Sequence, residues 1–64
     1  MTEKELSDLG GVRVRITIGS FFLRGEVVAA HPPKRPYINS GELMIMADEI
    51  ISYDPDKKEM AVME

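Results

Sequence analysis

Val12-Arg13-Val14-Arg15-Ile16-Thr17-Ile18-Gly19-Ser20-Phe21-Phe22-Leu23-Arg24-Gly25-Glu26-Val27 is the stretch that decides the fold. Val12, Val14, Ile16 and Ile18 alternate with Arg13, Arg15 and Thr17. That is the period-two pattern of a strand with one buried face. Gly19-Ser20 suits a two-residue type II′ hairpin, with glycine at the position that needs positive φ. A second β run extends from Phe21 to Ala30. Folding about the turn sets Ile18 opposite Phe21, Ile16 opposite Leu23, Val14 opposite Gly25 and Val12 opposite Val27. Thr17 then meets Phe22, Arg15 meets Arg24, and Arg13 meets Glu26. The first set is apolar or glycine and forms a core face, while the second forms a wet face. A one-residue slip would mix the two, so this register is the expected one. Gly25 inside the strand marks a bend or a close approach.

Outward toward the N-terminus, Thr2-Glu3-Lys4-Glu5 has the form of a capping box. Leu6 and Leu9 share one helical stripe, and Gly10-Gly11 ends it. Residues 1–10 are therefore predicted to hold a short helix that needs a surface to dock on. Beyond the hairpin, residues 31–41 carry Pro32, Pro33 and Pro36 and read as an extended loop. Residues 42–63 hold three further strands: Leu43–Ala47, Ile50–Tyr53 after a break at Asp48-Glu49, and Met60–Met63. A turn at Asp54-Pro55-Asp56-Lys57 separates the last two. The expectation is one mainly β domain over 1–64, a small five-stranded open barrel with an N-terminal helix across one end.

The chain has 64 residues, enough for one thin core. With no cysteine and one histidine, it offers neither a disulfide framework nor a Cys- or His-rich zinc site. The expected cofactor set is empty. The N-terminal stretch lacks the apolar segment of a signal peptide, and the run Leu43–Ala47 is far too short to span a membrane. The chain reads as cytoplasmic. Its net charge is −3, yet Arg13, Arg15, Arg24, Lys34 and Arg35 cluster in residues 12–36 against the single Glu26. A polyanion partner stays open on that local basicity.

Two candidate surfaces follow. Arg13, Arg15, Phe22 and Arg24, with Lys34 and Arg35, form a candidate face for a polyanion or a protein partner: phosphates on the cations and a base on Phe22. The same hairpin face also reads as solvated surface with an Arg13–Glu26 pair, or as a face whose Phe22 is buried under the N-terminal helix. Met44, Met46, Ile51 and Tyr53 would leave the second half apolar on both faces. That points to a homo-oligomer interface, because methionine recurs at adaptable contact surfaces. Pro32-Pro33-Lys34-Arg35-Pro36 reads as a rigid connector or a polyproline ligand, and His31 as a loop residue. Asp48, Glu49, Asp54 and Asp56 sit at turns and lack calcium-loop spacing. No nucleophile motif or phosphate cradle is present, so the chain reads as a non-enzymatic binding module.

Element order over the whole chain, and the stretch Gly11–Ile16 with Phe22–Ala30, resembles the Sm-like fold, including small prokaryotic Sm-like domains with proline and arginine in the loop after strand two. Barrels of the SH3 type share the element order. The resemblance implies a small open barrel that assembles into rings by edge-strand pairing, and, as the alternative function, RNA or single-strand binding. Sm-like RNA binders carry an Asp and an Asn after strand two, and an Arg-Gly or Lys-Gly pair before the last strand. Here those places read His31–Asn39, where Asn39 alone stands in and only after an insertion, and Asp54–Glu59, where no such pair occurs.

Overall fold

The computed structural model describes residues 1–64. It contains α1 (Glu3–Asp8), β1 (Arg13–Ile18), β2 (Phe21–Val28), β3 (Tyr37–Ser40), β4 (Leu43–Met46), a 3₁₀ turn (Ala47–Glu49), β5 (Ile50–Asp54) and β6 (Glu59–Val62). The six strands form one sheet in the order β4-β3-β2-β1-β6-β5. Every neighbouring pair is antiparallel except β1 and β6, which run parallel.

The first hairpin has the expected register, with Ile16 opposite Leu23, Val14 opposite Gly25, and Arg15 opposite Arg24. Gly19 has φ +57°, and Ser20 is not among the positive-φ residues, as a type II′ turn requires. The core face holds over most of its length, with Val14, Ile16 and Val27 buried. Phe21 departs from it and is 72% exposed. The reason lies in the next strand. β3 pairs only with Glu26–Val28, so the tip half of β2 has no neighbour beyond β1.

The five-strand expectation is corrected to six. Residues 31–41 are not a continuous loop. The Lys34 N–H donates to the His31 carbonyl at 2.9 Å, closing a turn, and buried Pro36 then leads into β3. That turn also removes the extended polyproline reading. β3 and β4 form a second hairpin, with Ser40 opposite Leu43 and Gly41 at φ +60°. β4 stops at Met46 and Ala47 begins the 3₁₀ turn, while β6 runs from Glu59 to Val62, one residue earlier than expected. Ile45 and Ala47 are buried, whereas Leu43 lies at the strand end and is half exposed.

Curling of the sheet follows from connectivity. β4 and β5 occupy opposite sheet edges, joined by the three-residue 3₁₀ turn. In a flat sheet those edges would lie about 24 Å apart, five gaps of about 4.8 Å. A three-residue 3₁₀ turn advances only about 6 Å. The chain can make the crossing only because the sheet rolls into a half-barrel. Gly25 permits the roll, since a Cβ there would stand 2.8 Å from Ile38 Cγ2 and 2.9 Å from the Asn39 carbonyl oxygen.

The inner surface holds Leu6, Val14, Ile16, Val27, Ile38, Ile45, Ala47, Ile50, Met60 and Val62. α1 covers one end through Leu6, which is fully buried. Its capping box is formed: Glu5 N–H donates to Thr2 Oγ1 at 3.1 Å, and Thr2 N–H to Glu5 Oε1 at 3.0 Å. Gly10 lets the helix end approach the chain just past β2, where a Cβ would lie 2.6 Å from Ala29 Cβ.

Candidate functional site

The wet face of the first hairpin becomes one wall of a groove. Alternation along β1 and β2 turns Arg13, Arg15, Arg24 and Glu26 outward, away from Val14 and Ile16. The second wall comes from the β5–β6 turn. β6 lies parallel to β1, with Glu59 beside Arg15, and the Arg15 N–H donates to the Lys58 carbonyl at 2.9 Å. This bond ties the turn to the hairpin and brings Lys57 and Lys58 alongside the arginines.

The turn is firmly built. Asp54 Oδ1 accepts from the Asp56 N–H at 3.0 Å and the Lys57 N–H at 3.3 Å. Lys58 sits at φ +51°, the only non-glycine residue with positive φ. A lysine in that conformation costs roughly 1 kcal/mol relative to glycine.

The groove has a volume of about 540 Å³ and is lined by Arg13, Arg15, Arg24, Lys57 and Lys58, with Glu26, Val14 and Gly25. A separate, smaller hollow of about 230 Å³ nearer the hairpin tip is lined by Phe22 and Leu23 and shares Arg15 and Arg24 with the groove. Phe22 is 60% exposed, so the helix does not cover it. The Arg15 guanidinium lies 4.1 Å from the centre of its ring. Arg13 reaches Glu26 at 3.8 Å, an exposed pair of small energetic weight.

The charges are unevenly satisfied. Of eight lysines and arginines, only Arg13 and Arg35 stand within ion-pair distance of a carboxylate. Four of the six others, Arg15, Arg24, Lys57 and Lys58, line the groove. Arg15 and Arg24 are directly opposed, and like charges in that position repel.

Lys34 and Arg35, expected on the same face, do not line this groove. Lys34 is exposed in the turn before β3. Arg35 bonds the Glu3 carboxylate on α1 and approaches Asp48 of the 3₁₀ turn at 3.9 Å. The Glu3 hydrogen bond and charge push the Arg35 pKa further above its already high value. Arg35 thus works as a clamp between the helix and the β4–β5 corner. Lys57 and Lys58 were missed from sequence because only the parallel β1–β6 pairing brings them to the arginines.

The apolar candidates divide between the two sheet edges. Met44 on β4 and Ile51 on β5 are 58% and 65% exposed, whereas Met46 is half-buried and Tyr53 packs against the core. Ile51 falls at a bulge between Ile50 and Ser52 in the pairing with β6.

Comparison with protein-family models, curated proteins and solved structures gives no match. No helix is long and apolar enough to cross a membrane.

Proposed function

We propose that this chain is a non-enzymatic, self-associating binding module of the cytoplasm, a small open barrel of the Sm-like or SH3-like kind. The observation that carries this is the pair of free sheet edges. β4 and β5 end the sheet and have no strand beyond them. Such an edge presents unpaired N–H and C=O groups to any extended chain. β4 carries neither charge nor proline in Leu43–Met46, the usual devices that blunt an edge. Three of the six exposed large apolar residues, Leu43, Met44 and Ile51, lie on these two strands.

The first partner is a second copy of the chain, β4 of one pairing with β5 of the next. Different surfaces meet in such a contact, so it closes into a ring or continues as a filament. Another protein donating a strand would use the same edges. Only 11 of 64 residues are buried, a thin core that further apolar burial would support.

Lysine in an edge strand opposes pairing. Met44→Lys with Ile51→Lys, both exposed in the monomer, is therefore expected to reduce the assembly to the 7.2 kDa chain in light scattering while leaving circular dichroism unchanged. An unaltered mass for this variant would exclude these edges as the contact.

A further inference from the structure

We propose that the uncovered half of β2, Phe21–Gly25, is a docking edge for an extended acidic segment of another protein, which adds a strand there in line with β3. This edge is separate from β4 and β5, the outer edges of the sheet, and its use does not depend on theirs.

β2 spans Phe21–Val28, and β3 covers only Glu26–Val28. The remaining five residues, about 17 Å of strand, have β1 on one side and no strand on the other. In a two-residue hairpin the residues flanking the turn, here Ile18 and Phe21, exchange backbone bonds with each other. The backbone groups of Phe21, Leu23 and Gly25 therefore point to β1, and those of Phe22 and Arg24 point to the open side. Ser40 marks the same direction, since its hydroxyl donates to the Arg24 carbonyl at 2.8 Å from the end of β3. A side chain thus stands in for the backbone donor that β3 would supply if it ran past Gly41. The Phe22 N–H and C=O and the Arg24 N–H have no such substitute.

Side chains on both faces of the open segment fit one occupant. On the inner face, Phe21 stays exposed because no strand stands beyond it. An apolar residue on an added strand would lie beside Phe21 or Leu23 and extend the inner wall. On the outer face, Phe22 is exposed and Arg24 has no carboxylate within ion-pair distance. Even Glu42, in the neighbouring β3–β4 turn, does not reach it. The smaller hollow is walled here by Phe22, Leu23 and Arg24, together with Arg15. A carboxylate on the outer face of the added strand enters between the two opposed guanidiniums and offsets their repulsion. The alternation defines the partner: apolar residues facing in, Asp or Glu facing out. The chain's own free edges fit this poorly. β4 has no acid, and β5 has only Asp54, at its end, with its carboxylate taken by turn N–H groups.

The test combines amide hydrogen exchange by NMR with fluorescence anisotropy, using the full chain and a labelled peptide of alternating valine and glutamate. Bound peptide should slow exchange of the Phe22 and Arg24 amides at least tenfold. Leu23, whose N–H faces β1, and the amides of β4 and β5 should not change. N-methylating alternate residues of the peptide, on the edge turned to β2, removes its donors and keeps its charge, and should abolish binding. Phe21→Asp, at an exposed position, and Arg24→Glu should each weaken binding at least tenfold. Arg24→Glu also removes a like-charge pair, so stability should hold or rise as affinity falls, which separates lost binding from lost folding. Met44→Lys with Ile51→Lys should bind the peptide as the unaltered chain does. Loss of binding in that variant, or protection on β4 or β5 instead, would overturn the proposal. So would an N-methylated peptide that binds equally well, which would reduce the contact to charge attraction. Phe22 and Arg24 amides already protected in the free chain, and exposed on dilution, would overturn it in favour of a second copy. Absence of peptide binding at low salt would also overturn it.

Discussion

Gly25 shows how one residue governs the curvature. It carries no side chain at the point where β2 passes under Ile38 and the Asn39 carbonyl. Gly25→Val would force these apart, with a cost of about 1–3 kcal/mol or more. A lowered midpoint in urea unfolding checks this. Arg15 and Arg24 represent the opposite case, residues that cost the fold something where they stand. Arg24→Glu should raise stability by roughly 0.2–1 kcal/mol. Glu5 sets a pH dependence at the same scale. The Thr2 backbone N–H, and then the Thr2 side chain, hold its carboxyl below the ordinary value. A depressed folded-state pKa gives stability that is complete above the ordinary carboxylate value and lost as pH falls through the folded one. The amide shift of Leu6, followed by NMR down to pH 2, should report the first turn of α1 loosening in that lower window. Glu5→Gln should remove the pH dependence of that shift.

Among elements, legibility differed according to how much of the pattern each strand carries. β1 and β2 have the full alternation and a glycine-led turn, so their register followed from side-chain type alone. β3 has four residues, Tyr37-Ile38-Asn39-Ser40, of which only Ile38 is buried. Three nearby prolines masked it. One signal was available: Gly41-Glu42 repeats the glycine-first arrangement of Gly19-Ser20, and Ser40 and Leu43 pair across it. The parallel partnership of β1 and β6 had no such signal, because it depends on where the β4–β5 corner carries the chain. That is why Lys57 and Lys58 escaped notice while Arg13, Arg15, Phe22 and Arg24 did not. Ile38 is fully buried in this short strand, so Ile38→Ala should cost about 2–5 kcal/mol. Denaturation would then show whether the thin core survives the loss, and a cost below 1 kcal/mol would mean that β3 contributes little.

On the scale of the whole molecule, rolling the sheet brings its ends round but leaves both unpaired. The core takes ten apolar residues, while Phe21, Phe22, Leu43, Met44, Ile51 and Met63 stay largely in water. Three of the six lie on opposite edges, Leu43 and Met44 on β4 and Ile51 on β5, which is what head-to-tail pairing of copies requires. The basic groove lies elsewhere on the sheet, on β1, β2 and the turn before β6. Substitutions in the groove and at the sheet edges therefore fall on different strands and can be made separately. Self-association is the claim on which the functional reading rests. Multi-angle light scattering of the unaltered chain, from micromolar to millimolar concentration and at low and high salt, tests it most directly. A mass at a fixed multiple of 7.2 kDa, in the range of a pentamer to a heptamer and stable to dilution, is the predicted result. A mass of 7.2 kDa at every concentration would contradict it.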